Sequence, residues 1–226
     1  MASWMVHLRV ADKLLSNIRF LSPVEFIVGN IAPDSGVPNE DWSIFTPSTK
    51  ISHFKTAESK KAGPDEFAKK YFLPQLQEKY DAKQYSFYLG YLVHLLTDVE
   101  WSENIVHPTM VKFSTEKAED PDRFIWKVKE DWYDLDYLYL RDHPDFRAFQ
   151  IYSGAEGFIN SYMEEFSTDA FDNRRKYITG FYMQDKENLD RDYPYLTRQE
   201  MDAFVDNCWQ KILLTLKTQY GLSCCV

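Results

Sequence analysis

The chain has 226 residues, of which 44% are hydrophobic and 27% are charged. This composition excludes a disordered protein, and the 8 glycines are too few for a turn-rich all-β fold. The net charge of −9 argues against nucleic acid or an anionic membrane surface as a partner, because an acidic surface repels both. The N-terminus lacks a signal-peptide pattern, no run approaches the ~18 apolar residues of a membrane span, and three cysteines predict no disulfide framework. We therefore expect a soluble cytoplasmic protein without stable membrane insertion.

Apolar residues recur with helical spacing along most of the chain, and no segment predicts a strand. The predicted helices cover, in chain order, about 3–18, 23–28, 64–80, 83–105, 122–140, two short segments within 146–184, and 198–221. We therefore predict an all-α fold in which residues 1–226 form one compact multi-helix domain.

Three segments within this pattern are informative. Residues 83–105 are hydrophobic almost all round, which predicts a buried central helix. Thr197 and Glu200 have the spacing of a capping box and predict the start of the last helix. Residues 31–50 are rich in Pro, Ser, Asp and Asn and predict a long ordered loop, which in a compact domain is usually functional.

The central helix carries a pair of residues that could do chemistry. His94 and Asp98 are four residues apart, so both side chains leave the same face. Gly90 lies one turn earlier, and its missing side chain predicts open space above the His94 ring. Such a pair can bind a metal ion, although on its own it is more often a hydrogen-bonded pair in the core.

Three further residues give signals that are weak when taken singly. His7 lies beside the apolar stripe of the first helix, Asp34 lies in a Pro-Asp-Ser-Gly turn, and His53 lies at the edge of a loop. Each has an ordinary structural explanation as a packed, capping or loop residue. Together with His94 and Asp98, however, they supply three imidazoles and two carboxylates, a ligand set that suits zinc or a similar divalent ion.

The order of these residues resembles that of the zinc-dependent phospholipase C superfamily, which also contains the fungal single-strand-specific nucleases. The residues that match the ligand order of that family are Trp4, His7, Asp34, His53, His94 and Asp98. The segments Phe-Ile-Val-Gly-Asn-Ile-Ala-Pro-Asp-Ser and Tyr-Leu-Gly-Tyr-Leu-Val-His-Leu-Leu-Thr-Asp look like those of its small bacterial members. The resemblance covers residues 4 to about 105 and implies an all-α fold with a cluster of up to three metal ions.

The sequence also departs from the family pattern. Trp4 is not the first residue, so its amino group is part of a peptide bond and is not a free ligand. Asn104 occupies the place of a family histidine, and neither His107 nor His143 begins a His-x-x-x-Glu motif. Both of these histidines precede proline, which predicts turn residues. We therefore expect one or two metal ions, held by the five residues His7, Asp34, His53, His94 and Asp98.

The resemblance implies a metal-dependent hydrolase that acts on a phosphoester, either a phosphodiester or a phosphomonoester, through a metal-activated water. Asp34 is then a metal ligand or the catalytic base that orients this water. A small soluble phosphoester fits as the substrate. The alternative is a catalytically weakened protein that keeps the fold and binds a metal or a partner. A His-Asp phosphohydrolase is disfavoured because the sequence contains no His-Asp dipeptide.

Overall fold

Helices make up most of the chain in a computed structural model that describes residues 1–41, 43–57 and 59–222. Their bounds are α1 Trp4–Asn17, α2 Pro23–Ile31, α3 Thr49–Ser52, α4 Pro64–Tyr71, α5 Pro74–Gln77, α6 Ala82–Trp101, α7 His107–Lys112, α8 Ser114–Glu119, α9 Pro121–Asp142, α10 Arg147–Gly154, α11 Ala170–Tyr182 and α12 Arg198–Gln219. A 3-10 turn spans Ala32–Asp34, and a π-helical turn spans Ser102–Val106. Two short antiparallel strands, β1 Val37–Pro38 and β2 Phe45–Thr46, pair with each other. The predicted all-α class is confirmed. The adjacent Cys224 and Cys225 lie outside the described residues.

Helix α6 lies at the centre of the fold and packs most closely against α2. Two glycines allow this approach. A Cβ added to Gly29 would lie 2.2 Å from the backbone oxygen of Phe87, and one added to Gly90 would lie 2.1 Å from that of Phe26. No carbon atom can approach a carbonyl oxygen so closely. Gly90 therefore serves the contact between two helices, and the expected open space above His94 is wrong.

Two predicted helix boundaries are also wrong. The segment 64–80 is not one helix, because α4 ends at Tyr71 and α5 begins at Pro74. A residue before proline avoids the helical region, so Leu73 cannot continue the helix. The central helix ends at Trp101, and the chain continues through the π-helical turn into α7.

The C-terminal half encloses the other side of α1. Thr197 and Glu200 form the predicted capping box at the start of α12, which packs against α1 and α6. Trp4 of α1 makes edge-on ring contacts with Tyr177, Phe181 and Tyr182 of α11, at centroid distances of 5.8–6.3 Å. A cavity lies between α1, α9, α11 and the segment 33–52.

The predicted loop at 31–50 has more regular structure than expected. It contains the 3-10 turn, the two short strands and the first residues of α3. Among the described residues, no helix is both long enough and apolar enough to cross a membrane.

Candidate metal centre

Five side chains from four parts of the fold meet beside α6. His7 comes from α1, Asp34 ends the 3-10 turn after α2, and His53 directly follows α3. His94 and Asp98 come from one face of α6. All three imidazoles are fully buried, and the side chain of Asp34 is only 8% exposed. The structure thus brings together all the residues that the sequence selected.

The ring nitrogens of His53 and His94 lie close to each other and to both carboxylates. The Nε2 atoms of His53 and His94 are 3.3 Å apart. Oδ1 of Asp34 lies 3.4 Å from Nε2 of His53 and 3.9 Å from Nε2 of His94. Oδ2 of Asp98 lies 3.4 Å and 3.7 Å from the same two nitrogens.

The spacings among Asp34, His53 and His94 suit ligands of a single ion. In a tetrahedral zinc site with bonds of about 2.0–2.2 Å, neighbouring ligand atoms are roughly 3.3–3.6 Å apart. Good hydrogen bonds between such atoms are shorter, at about 2.7–3.2 Å. The spacings of these atoms therefore match those of metal ligands better than those of hydrogen-bonded pairs.

His7 completes a second group on the other side of Asp98. Its ring stacks on that of His94, with centroids 3.7 Å apart and planes 4° from parallel. Its Nε2 lies 3.5 Å from Oδ1 of Asp98, and the same oxygen accepts a hydrogen bond from the backbone N–H of Ala2 at 2.8 Å. Asp98 therefore presents one oxygen to each group, and His94 belongs to both groups. Each of these two groups could hold an ion.

Neighbouring backbone groups fix the orientation of His94. Its Nδ1 lies 2.7 Å from the backbone oxygen of Asn30 on α2. Because a carbonyl oxygen can only accept, Nδ1 carries the proton, and the lone pair of Nε2 faces the cluster. Metal-binding histidines in proteins are usually held in this way.

His53 is fixed by its position after α3. Its Nδ1 is 3.0 Å from Oγ of Ser52, and its backbone oxygen accepts a hydrogen bond from the N–H of Gly63 at 2.9 Å. The following residue, Phe54, has a φ of +52°, which turns the chain sharply after the histidine. The ring of Phe54 then packs edge-on against Phe67, with centroids 5.2 Å apart.

The electrostatics favour the protonation states that bind a cation. Burial and repulsion from His7 lower the pKa of His94 to about 3, so this ring is neutral at physiological pH. Burial opposes ionisation of Asp34 and Asp98. The neighbouring imidazoles, chiefly His53 beside Asp34 and His7 beside Asp98, outweigh it and hold both pKa values well below the usual range. Neutral imidazoles and ionised carboxylates are the forms that bind zinc.

Several buried polar atoms of the cluster have no hydrogen-bond partner among residues 1–41, 43–57 and 59–222. They are both ring nitrogens of His7, Oδ2 of Asp98 and Oδ1 of Asn30. Leaving such atoms unpaired is costly, about 1–3 kcal/mol each. A divalent ion would satisfy one ring nitrogen of His7 and Oδ2 of Asp98, so the residues present fit a metal.

The other residues considered from the sequence lie elsewhere. Asn104 is exposed and donates to the backbone oxygen of Glu100 at 2.9 Å. His107 is also exposed, and it is the first residue of α7 rather than a turn residue as predicted. His143 is exposed at the end of α9 and stacks on Tyr139. No third group of ligands forms among the described residues.

A cavity of about 380 Å³ lies beside the cluster. Its walls are mostly apolar and aromatic, with contributions from Trp4, Phe45, Trp132 and Tyr133. Of the five clustered side chains, all within the described part of the chain, Asp34 alone lines it. Asp34 therefore connects the cluster to the cavity.

The family model described as zinc dependent phospholipase C matches residues 6–123, which is more than half of the chain. The chain belongs to this family. All five clustered residues lie within the segment that matches this zinc-dependent family. Trp4 lies just outside the match. No curated protein and no solved structure matches the chain.

The sequence did not indicate the residues that support the cluster. Ser52 could have been noticed because it directly precedes His53. Asn30 and Ala2 act through their backbone atoms, which leave no signal in a sequence. Arg174 and Lys129, which line the cavity, come from helices far along the chain and lie outside the segment that matches the family.

Proposed function

We propose that this protein is a metal-dependent hydrolase that acts on a small phosphoester with one or two divalent ions, zinc being the ion named by its family. The main support is the buried cluster of three imidazoles and two carboxylates at the edge of a cavity of substrate size. The acidic net charge also favours a small substrate over nucleic acid.

A bound divalent ion lowers the pKa of a water molecule to about 7 and withdraws charge from a phosphoryl oxygen. The protein's own contribution is to position the reacting groups. Asn30 holds the His94 ring so that its Nε2 faces the cluster. Ala2 holds one oxygen of Asp98, which leaves the other oxygen directed at His53 and His94. The apolar cavity walls exclude bulk water from the phosphoryl group, which strengthens the electrostatic interactions there.

Asp34 lies between the cluster and the cavity, where it can contact both an ion and an attacking water. Its pKa is held well below the usual range, so its carboxylate is a weak base. We therefore assign Asp34 the role of a ligand that also orients the water by accepting a hydrogen bond. Asp34 does not act as the general base that takes the proton from this water.

The alternative is a protein that binds metal without efficient catalysis. It is favoured by one observation, the exposed position of Asn104 where the family pattern has a third-site histidine. Loss of that site would remove one group that stabilises the charge developing on the phosphoryl oxygens.

Metal content and turnover, measured together, test the proposal. Protein purified without added metal is analysed for zinc and then assayed with p-nitrophenyl phosphate and bis(p-nitrophenyl) phosphate, before and after treatment with a chelator. We expect bound zinc and a hydrolysis rate that falls on chelation and returns with added zinc. Bound zinc without turnover of either compound would favour the alternative. Absence of bound metal after incubation with zinc would contradict both functions.

A further inference from the structure

Arg174 is a buried cation in the wall of the cavity beside the metal centre. It lies on α11 and is only 7% exposed. Its Nη2 donates to the backbone oxygen of Gly36 at 2.7 Å. Among the described residues no carboxylate pairs with it, and its other guanidinium N–H groups make no hydrogen bond. The neighbouring Arg175, which is 8% exposed, instead pairs with Asp172 at 2.8 Å.

A buried guanidinium without a counter-charge is unfavourable, because the bond to Gly36 and the Tyr177 ring 5.4 Å away replace only part of the lost hydration. Native proteins therefore pair such groups with a carboxylate or with an anionic ligand. The position of Arg174 favours an anionic ligand in the cavity. Its guanidinium is bonded to Gly36, which is only two residues after Asp34 in the sequence, and the side chains of Arg174 and Asp34 line the same cavity.

Lys129 is a second cation in the lining of this cavity, and it also lines a neighbouring cavity together with Trp126. It comes from α9, is half-buried, and has no carboxylate partner in the part of the chain that the structure describes. Its Nζ lies 5.2 Å from the centre of the Trp126 ring. The charged side chains of the lining are thus Lys129, Arg174 and Asp34, and the carboxylate of Asp34 faces the metal cluster.

We propose that Arg174 binds an anionic oxygen of the substrate's phosphoryl group, and that Arg174 and Lys129 make the cavity selective for the two negative charges of a phosphomonoester over the single charge of a phosphodiester. The aromatic walls then hold the organic part of the ester. This inference rests on the proposed function, because it assumes that the same cavity delivers the phosphoryl group to the metal cluster.

The test is the binding of a non-hydrolysable anion pair by the zinc-loaded protein. Phenylphosphonate carries two charges at mildly alkaline pH, and its monomethyl ester carries one. We expect the wild-type protein to bind phenylphosphonate more tightly than the ester in calorimetry. In Arg174→Gln the amide can still donate to Gly36, but the charge is lost. A hydrogen bond to a charged group contributes about 1.5–3 kcal/mol, so this variant should bind phenylphosphonate roughly tenfold to a hundredfold more weakly.

Matched variants separate this role from a structural one. Arg175→Gln changes the next residue, similarly buried but ion-paired, and should leave phenylphosphonate binding unchanged. Arg174→Lys keeps the charge and should recover part of the affinity. Lys129→Gln should reduce the preference for the dianion, and this half-exposed position remains testable if Arg174→Gln does not fold.

The outcomes also separate this inference from the proposed function. If zinc binds and phenylphosphonate binds equally well to the wild-type protein, Arg174→Gln and Lys129→Gln, the inference is overturned while the proposed function stands. Equal affinity of the wild-type protein for the phosphonate and its monoester would likewise overturn it. If zinc does not bind at all, the proposed function fails. If phenylphosphonate binding still depends on Arg174 in that case, Arg174 is part of an anion-binding site, and the proposed hydrolase function is not supported.

Discussion

At the scale of single residues, His94 is the member of the cluster that belongs to both donor groups. We expect His94→Ala to weaken zinc binding by more than about tenfold, since losing even an outer-shell partner of a metal ligand costs that much. His143→Ala is the matched control, because His143 is exposed and stacks on Tyr139 away from the cluster. Zinc per chain is measured by elemental analysis after dialysis. Equal losses in the two variants would show that the cluster does not hold the metal.

Asp136 is a buried carboxylate outside the metal cluster. Burial raises its pKa to about 7, although it accepts hydrogen bonds from Tyr182 at 2.7 Å and Ser3 at 2.8 Å. An unfolded aspartate has a pKa of about 3.9, so between about pH 4 and pH 7 the folded state holds a proton that the unfolded state has lost. The stability linked to this proton is present below about pH 4 and is lost as the pH rises through about 7.

Asp136→Asn tests this linkage. The amide is neutral at every pH, so the free energy of unfolding of the variant minus that of the wild-type protein should grow between pH 5 and pH 8, by up to a few kcal/mol. Urea unfolding of both proteins with chelator present keeps the metal out of the comparison. A difference that is the same at both pH values would mean that Asp136 is already ionised at pH 5.

Single residues also mark where sequence reasoning succeeds and where it stops. His7, Asp34, His53, His94 and Asp98 could be selected because their order matches a family pattern, and the structure brings them together. Their role as metal ligands stays a prediction. Arg174 and Lys129 could not be selected, because a lysine or arginine is usually exposed and only the fold reveals that one of them is buried without a partner.

At the scale of helices, the contact between α2 and α6 connects the core to the candidate metal centre. The same segment of α2 that passes close to Gly90 carries Asn30, whose backbone oxygen orients His94. We expect Gly90→Ala to lower the free energy of unfolding by about 1–3 kcal/mol or more, because the two backbones must separate. Zinc affinity should fall with it, because Asn30 moves away from His94.

The control for this substitution is Gly180→Ala in α11. A Cβ at Gly180 would have no atom within 4 Å, so alanine should be neutral or stabilise the helix by up to about 1 kcal/mol. Chemical denaturation and zinc titration of both variants make the comparison. If Gly90→Ala is as stable as the wild-type protein, the close helix contact is not required.

The sequence predicts helix boundaries well where contacts between residues close in the sequence determine them. The capping box at Thr197 and Glu200 marked the start of α12 because it is a contact between near neighbours. The break before Pro74 could also have been predicted from the chain alone, since proline restricts the residue before it. The function of Gly90 could not, because the atoms that exclude a side chain there belong to another helix.

At the scale of the whole molecule, metal removal should lower stability. Without an ion, the carboxylates of Asp34 and Asp98 lack a counter-charge in a site where several buried polar atoms have no partner. A ligand that binds only the folded state stabilises it by about 2.7 kcal/mol at a hundredfold excess over its dissociation constant. We therefore expect a chelator to lower the thermal midpoint at neutral pH in protein shown to contain zinc. An unchanged midpoint would favour a packed core of histidines over a metal centre.

The five clustered side chains come from four separate elements, α1, the turn after α2, the end of α3, and α6. An ion bound by all of them would connect these elements to one another. Such long-range contacts form late in folding because they require several loops to close. A bound ion should therefore slow unfolding and leave the folding rate unchanged. In stopped-flow measurements with and without chelator, we expect the refolding rates to coincide and the unfolding rate to be slower with zinc. The metal would then determine how long each folded molecule lasts.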